Sequence, residues 1–159
     1  MLVLGIDPGL DGALALLDSE LNLLEVWDVP TLELSRNGKA KREIDVQALV
    51  DMVEGVVVYR PKVWIENSTP MPGQGSASTF AFGKTFGLLY GVCAAKKLVI
   101  ERVAPQKWKK ALAVPKEKDG ARARASVLMP AHSTHWPLKR HDGRAEAALI
   151  ALYGAKVGA

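Results

Sequence analysis

Two short apolar runs in this chain each end in an acidic residue. Residues 2–6 lead into Asp7, which a Pro-Gly pair follows, and residues 62–65 lead into Glu66. Apolar runs of this length, stopped by turn residues, are typical of buried strands. A carboxylate at the end of a buried strand is costly unless it has a partner. Asp7 and Glu66 either accept hydrogen bonds from the turns that follow them or converge with other acids on a divalent cation.

A second pair of acids lies near the end of the chain. Asp142 and Glu146 are four residues apart in an apolar segment, residues 142–153, which we predict to be a helix. Two like charges at this spacing share one helix face and repel each other by a few tenths of a kcal/mol. The helix N-terminus compensates Asp142, but Glu146 lies among alanines that indicate tight packing. A cation shared with Asp7 and Glu66 would account for all four acids.

The ligand types indicate which ion this would be. Four carboxylates favour a hard cation with oxygen ligands, Mg²⁺ or Mn²⁺. The three histidines, His132, His135 and His141, lack the cysteine partners and the helical spacing of a zinc site.

The elements between these residues predict how the acids meet. We expect an antiparallel meander of three strands over residues 2–29, and a right-handed crossover that places the strand at 62–66 beside the first. Asp7 and Glu66 would then lie at the same edge of one sheet. The remaining expectations are an exposed loop at 31–43, helices at 44–59, 80–97, 106–112 and 121–129, a flexible loop at 67–79, a strand at 98–103 and a loop at 130–140.

Composition limits the class of protein. At 159 residues and 48% hydrophobic, we expect residues 1–159 to form a single domain with its own core. No membrane-spanning run and no secretory signal is recognised. The single cysteine, Cys93, is apolar in context. We therefore expect a cytoplasmic protein.

Charge is distributed unevenly along the chain. Residues 1–79 hold 6 basic and 12 acidic residues, whereas residues 80–159 hold 15 basic and 5 acidic ones. This asymmetry indicates a polyanionic partner that the second half contacts, or a merely solvated basic surface. The candidate phosphate contacts are Lys84, Lys107, Lys109, Lys110, Lys116, Lys118, Arg122, Arg124 and Arg144. Among them, Lys107 and Lys110 are the strongest candidates.

Four motifs in order resemble one known family. They are G-I-D-P-G-x-x-G at 5–12, V-W-I-E-N at 63–67, V-A-P-Q-K-W-K-K-A-L at 103–112 and D-G-R-A-E-A at 142–147. Together they resemble the RuvC family of Holliday-junction resolvases, most closely its phage-encoded branch. The resemblance implies an α/β, RNase H-like fold whose central mixed five-stranded sheet is flanked by helices. It also implies a homodimer that cleaves four-way or branched DNA in recombination and repair.

The resemblance further implies two Mg²⁺ ions per active site, with Mn²⁺ as a substitute, and makes Asp7, Glu66, Asp142 and Glu146 the catalytic and metal-binding residues. The last two acids of the family are usually aspartates three apart. Here Glu146 matches the final one, and Gly143 stands where the other is expected. Which of Asp142 and Glu146 binds which metal therefore stays open.

Two further features of the family have candidates on one segment of the chain. The aromatic residue that enters the junction centre has no direct match, because Thr69 stands there, so Met71, Phe80 and Phe82 are the candidates. Glycines at 83, 87 and 91 recur every four residues. This repeat predicts close packing against another element, for which the same helix of a second subunit is one candidate.

Three alternatives remain at this point. The first is an RNase H-superfamily nuclease that cuts flaps or RNA–DNA hybrids. The second is a single-domain Mg-nucleotide-binding protein, although such proteins normally close two domains around a cleft. The third is a junction-binding module without catalytic activity.

Overall fold

A sheet of five strands forms the centre of the computed structural model, which describes residues 1–70 and 72–158 apart from the side chain of Arg36. Strands β1 (Val3–Asp7), β2 (Ala13–Leu17) and β3 (Leu23–Asp28) form the predicted antiparallel meander. Two more strands, β6 (Lys62–Glu66) and β7 (Ile100–Val103), add in parallel on the other side of β1, giving the order β3-β2-β1-β6-β7. The predicted mixed five-stranded sheet is confirmed.

Strand register places the two strand-end acids side by side. Ile6 pairs with Ile65 across the parallel β1–β6 ladder, so Asp7 and Glu66 follow at the same edge of the sheet. Glu66 pairs in turn with Val103 on β7. Neighbouring parallel strands end at the same edge of the sheet, and functional side chains commonly lie at that edge.

Successive side chains of a strand point to opposite faces of the sheet, and each face has its own hydrophobic core. Leu4, Ile6 and Ile65 pack with helices α1 (Val46–Val57) and α2 (Ser76–Ala95). On the other face, Val3 and Trp64 pack with α3 (Pro105–Ala111), α4 (Gly120–Leu128) and α5 (Asp142–Val157). The sheet is therefore flanked by helices on both sides, as predicted. No helix in residues 1–70 and 72–158 combines the length and the apolar composition needed to span a bilayer.

The segment predicted to be an exposed loop at 31–43 is instead a β-hairpin. Strands β4 (Thr31–Arg36) and β5 (Lys39–Ile44) pair with each other in a separate two-stranded sheet. The turn residues Asn37 and Gly38 both have positive φ, at 52° and 73°, as a two-residue hairpin of type I′ requires. The prediction was wrong because the polar composition was weighed above the Asn-Gly signal and the flanking alternation.

Smaller differences concern helix boundaries. Helix α2 begins at Ser76, within the predicted loop at 67–79, and α5 continues to Val157. The predicted loop at 130–140 contains a 3₁₀ helix over Pro130–His135, and another covers Lys139–His141. His141 is the residue that precedes α5, so Asp142 is its first residue.

Helix α5 packs on β1 through small side chains. Ala147 and Ala151 are fully buried on it, and Gly143 lies against the turn that follows β1. A Cβ atom at Gly143 would overlap the Asp11 carbonyl oxygen and lie 3.1 Å from Asp7 Oδ2. No residue with a side chain fits at position 143 in this packing. The close approach brings the first turn of α5 next to Asp7.

We expect Gly143→Ala to destabilise the protein by about 1–3 kcal/mol, because an added methyl group in a packed contact forces the backbone to shift. The matched control is Gly55→Ala, in α1, where a Cβ would meet nothing within 4 Å. That change should stabilise the protein by about 0.5–1 kcal/mol, since it removes a glycine from a helix. Urea unfolding followed by circular dichroism measures both. Equal stability of the two variants would contradict the packing described.

Candidate active site

Three elements supply the four acids predicted from the sequence. Asp7 ends β1, Glu66 ends β6, and Asp142 and Glu146 occupy the first two turns of α5. Asp7 and Glu66 are neighbours through strand register, and Gly143 lets the start of α5 approach Asp7. The structure thus places all four residues in one region at the edge of the sheet.

The carboxyl groups of this region interact electrostatically. Burial, followed by the charges of Glu146 and Glu66 and more weakly that of Asp142, holds the pKa of Asp7 well above its ordinary value, against the opposing charge of Lys109. Burial is also the main cause that raises the pKa of Glu146. Burial raises the pKa of Asp142 as well. Desolvated like charges resist ionisation, so the cluster favours any cation that enters it.

One cation of the chain itself already lies there. Lys109, on α3, places its Nζ atom 2.7 Å from Glu146 Oε1. Burial alone would lower the pKa of Lys109, but the hydrogen bond to Glu146 and the charges of Glu146, Glu66 and Asp7 raise it. From the sequence Lys109 was only one of nine candidate phosphate contacts. Its position directly after the buried Trp108, in the V-A-P-Q-K-W-K-K motif, was the signal for a place inside the site.

Glu66 is fixed by two hydrogen bonds. Trp108 Nε1 donates to Glu66 Oε2 at 2.7 Å, and Ser68 Oγ donates to Glu66 Oε1 at 2.7 Å. The Glu66 residue is only 7% exposed, and Trp108 is fully buried. Donors to both oxygens fix the orientation of the Glu66 carboxyl group. Trp108 is a positioning residue that sequence analysis missed, because a buried tryptophan in an amphipathic helix reads as core.

The carboxylate oxygens of the four acids are ligands of the type that a hard divalent cation prefers, although the side chains are not arranged around a common point. In the described part of the chain, no three His, Cys, Asp or Glu side chains are grouped as a metal site. Glu146 is paired with Lys109, and Glu66 with Trp108 and Ser68. The buried Asp142 Oδ1, however, has no hydrogen-bond partner among the described residues. Oxygen ligands alone, one of them without a partner, suit Mg²⁺ or Mn²⁺ rather than zinc.

Two clefts meet at the acids. The larger, of about 730 Å³, contains Asp142 and Glu146 and is bordered by lysines at 109, 110, 116 and 118. The second, of about 530 Å³, contains Asp7, Asp142 and Glu146 and is bordered by Lys139 and Arg140. We name them the lysine cleft and the turn cleft. Lys139 and Arg140 were not among the predicted contacts, although they directly precede His141 and Asp142 in the sequence.

The remaining predicted phosphate contacts divide into two groups. Lys107, Lys110, Lys116 and Lys118 are exposed, and all but Lys107 border the lysine cleft. The other four have partners within the chain: Lys84 pairs with Glu43, Arg122 with Asp119, Arg144 with Asp28, and Arg124 donates to the Leu112 carbonyl. Arg122, Arg124 and Arg144 thus have partners within the fold, and their contact with DNA stays a prediction.

Phe80 and Phe82, two of the three predicted junction residues, lie in the first two turns of α2. Phe80 is 75% exposed, which is unusual for its type, and Phe82 is partly exposed. Met71 falls outside the described residues. The glycines at 83, 87 and 91 are exposed, and a methyl group added at any of them would meet nothing within 4 Å. The close packing predicted for them is therefore absent within the described part of this chain.

We expect the raised pKa of Asp7 to make stability depend on pH. The native state holds this proton more tightly than the unfolded chain, so the protein loses stability as pH rises above the ordinary value of 3.8 toward the raised pKa. In EDTA, Asp7→Asn should therefore unfold at a higher temperature than the wild type at pH 7.5, with little difference near pH 4. Each tenfold change in the acid dissociation constant is worth about 1.4 kcal/mol.

The control for that measurement is Asp18→Asn. Hydrogen bonds from the Asn22 side chain and backbone lower the pKa of Asp18, so its ionised form stabilises the native state above about pH 4. This variant should lose stability at pH 7.5. If Asp7→Asn behaved like Asp18→Asn, the described desolvation of Asp7 would be wrong.

The fold and the site can be compared with known proteins. No protein-family model matches the sequence, and no curated protein matches it significantly. Among solved structures, RuvC of Thermus thermophilus in complex with a Holliday junction substrate superposes with a TM-score of 0.64 at 18% identity, over 99% of this chain and 96% of that one. Another structure of Thermus thermophilus RuvC gives 0.59 at 18% identity, over 99% and 97% of the chains.

The yeast mitochondrial Holliday junction resolvase Ydc2 gives a TM-score of 0.59 at 16% identity, over 97% of this chain and 77% of that one. Likeness at these identities establishes the architecture. The predicted resemblance to RuvC-type resolvases is confirmed at that level: the chain has the RNase H-like fold of RuvC.

Proposed function

We propose that this chain is a metal-dependent endonuclease that resolves four-way and branched DNA as a homodimer. The observation that carries the proposal is the partly buried cluster of Asp7, Glu66 and Glu146 around Lys109, at the junction of two clefts on a RuvC-type fold. Carboxyl groups with a raised pKa in a cleft, as Asp7 and Glu146 have here, are typical of catalytic sites. A protein of the same architecture has been seen with a Holliday junction.

The four acids would hold the metal ions. When bound, a pair of divalent cations supplies an activated water and a counter-charge for the leaving oxygen. In the chain itself, Asp7 and Glu66 present oxygens from rigid strand ends, and Trp108 with Ser68 orients Glu66. Asp142 and Glu146 present oxygens from α5. The proposed ligands belong to β1, β6 and α5, three elements that pack directly against one another.

In this proposal Lys109 binds the DNA phosphate in addition to pairing with Glu146. Its ammonium borders the lysine cleft and neutralises Glu146. With metal ions held by the acids, the Lys109 ammonium would be available to bind an oxygen of the phosphate in the cleft. Lys110, Lys116 and Lys118 extend the positive surface away from the acids, along the path of a DNA strand.

A dimer agrees with the uncovered face of α2. The exposed Phe80 and the glycines at 83, 87 and 91 leave this helix face without a partner inside the described residues. Two active sites in one assembly would cut two strands of a junction symmetrically. Light scattering of the purified protein gives the oligomeric state directly.

The decisive experiment is incubation of a labelled mobile four-way junction with the protein and Mg²⁺. We expect two symmetric nicks on opposing strands with the wild type. Asp7→Asn should lower cleavage by at least about a thousandfold while junction binding is retained, because the change removes metal affinity and negative charge together.

Parallel substrates separate the alternatives. A flap and an RNA–DNA hybrid of the same sequence test for other nucleases of this fold, which share the acid cluster. Preferred cleavage of the hybrid would replace the resolvase assignment by that of a ribonuclease. Mg²⁺-dependent cleavage that persists in Asp7→Asn would refute the site.

We expect the lysine cleft to make binding depend steeply on salt. Each phosphate contact contributes about 0.9 to the slope of log K against log salt concentration for duplex DNA. Lys110→Gln and Lys116→Gln should each reduce that slope by about one. Lys156→Gln, near the far end of α5, is the control and should leave it unchanged. Fluorescence anisotropy of a labelled junction between about 50 and 200 mM salt measures the slopes, and unchanged slopes would exclude the cleft as the DNA path.

A further inference from the structure

A third, smaller pocket collects arginines beside the acid site. It has a volume of about 340 Å³ and is bordered by Arg42, Arg140 and Arg144, together with Asp11 and Asp28. We name it the arginine pocket. Three guanidinium groups in one pocket repel one another unless negative charge is close. Asp11 and Asp28 supply two negative charges, which leaves one positive charge in excess.

Two of the arginines are fully engaged in holding the structure together. Arg144 Nε and Nη2 donate to the two carboxylate oxygens of Asp28, at 2.7 and 2.6 Å. Arg42 Nη2 donates to Asp11 Oδ1 at 2.6 Å and to the Leu10 carbonyl oxygen at 2.5 Å. The first contact ties α5 to β3, and the second ties the hairpin to the turn after β1. Both guanidinium groups are thereby fixed in place.

Arg140 differs from the other two. It is exposed, and its hydrogen bond within the described residues is a long one, 3.4 Å from its Nε to His141 Nε2. No carboxylate in that part of the chain forms a salt bridge with it. Its excess charge therefore faces the pocket without a structural task. Arginine suits oxyanions of phosphate geometry because its donors form a planar fork.

The arginine pocket also has a fixed place relative to the acids. Leu10, Asp11, Gly12 and Arg140 border both this pocket and the turn cleft, which contains Asp7 and Asp142. Arg140 is two residues before Asp142, and Leu10 is three after Asp7. A group bound in the arginine pocket is therefore next to the turn cleft and its acids, whereas the arginine pocket and the lysine cleft have no lining residue in common.

We propose that the arginine pocket binds a backbone phosphate of the cleaved strand, adjacent to the scissile phosphate, with Arg140 as its main contact. The inference rests on the proposed nuclease function, since it needs a DNA strand that crosses the acids from one cleft to the other. The strand would enter over the lysines and leave over Arg140. Contacts on both sides of the scissile phosphate would hold it in place. Binding energy is then used to orient the reacting atoms.

The test combines protein variants with neutral phosphates in the DNA. Junctions carry a single methylphosphonate at successive positions along the cleaved strand. With the wild type, we expect one position beside the cleavage site at which the neutral group lowers kcat/KM about tenfold. Arg140→Gln should lower kcat/KM of the unmodified junction by a similar factor, and the methylphosphonate at that position should then have no further effect. Lys156→Gln is the control, and should keep the wild-type pattern.

Further measurements keep the result interpretable. Arg140→Lys retains the charge and should recover part of the loss, whereas a purely structural defect would appear as a lowered melting temperature in both variants. Junction binding in EDTA is measured in parallel. There Arg140→Gln should weaken binding about threefold or more and reduce the salt slope by about one.

The outcomes of the two proposals are distinguishable. A wild type that binds junctions but cuts nothing would refute the nuclease assignment, and the binding data would still decide on Arg140. Wild-type binding and cleavage by Arg140→Gln would overturn the arginine pocket alone. The arginine-pocket proposal would also be wrong if the losses caused by Arg140→Gln and by the methylphosphonate were additive at every position.

Discussion

Repulsion among buried carboxylates is the constraint around which this molecule is built. Asp7, Glu66 and Glu146 come from distant parts of the chain, and burial with mutual repulsion raises the pKa of Asp7. Such a cluster persists only where the surrounding packing holds it and a positive charge offsets it. The Lys109 ammonium, 2.7 Å from Glu146, provides that charge. In the proposed function, metal ions would add positive charge to the same cluster.

The packing that holds the cluster relies on small side chains. The buried alanines of α5 let the helix lie directly on β1, and Gly143 lets its first turn reach the loop after Asp7. The absence of an acid at position 143, which departs from the expected family pattern, has its physical reason here. With no room for a side chain at 143, the acid of the first turn stands one residue earlier, at Asp142.

Much of this arrangement was predictable from the sequence, because its signals are local. Short apolar runs ending in Asp7 and Glu66 predicted adjacent strands, and the spacing of Asp142 and Glu146 predicted a shared helix face. The hairpin at 31–44 was missed because most of its residues are polar, and its signals, the Asn-Gly turn and the alternation of Leu32 and Leu34 with polar residues, are short. Roles that depend on side-chain partners were not predictable. The bond between Arg144 and Asp28, which are 116 residues apart, and the contact of Lys109 with Glu146 have no signal in the sequence.

The hairpin adds a connection between α2 and the loop that follows β1. Arg42, on β5, holds the backbone and side chain of the loop behind Asp7, and its neighbour Glu43 forms an ion pair with Lys84 on α2. The hairpin thereby joins α2 to the turn that follows Asp7 through two ion pairs, Lys84–Glu43 and Arg42–Asp11.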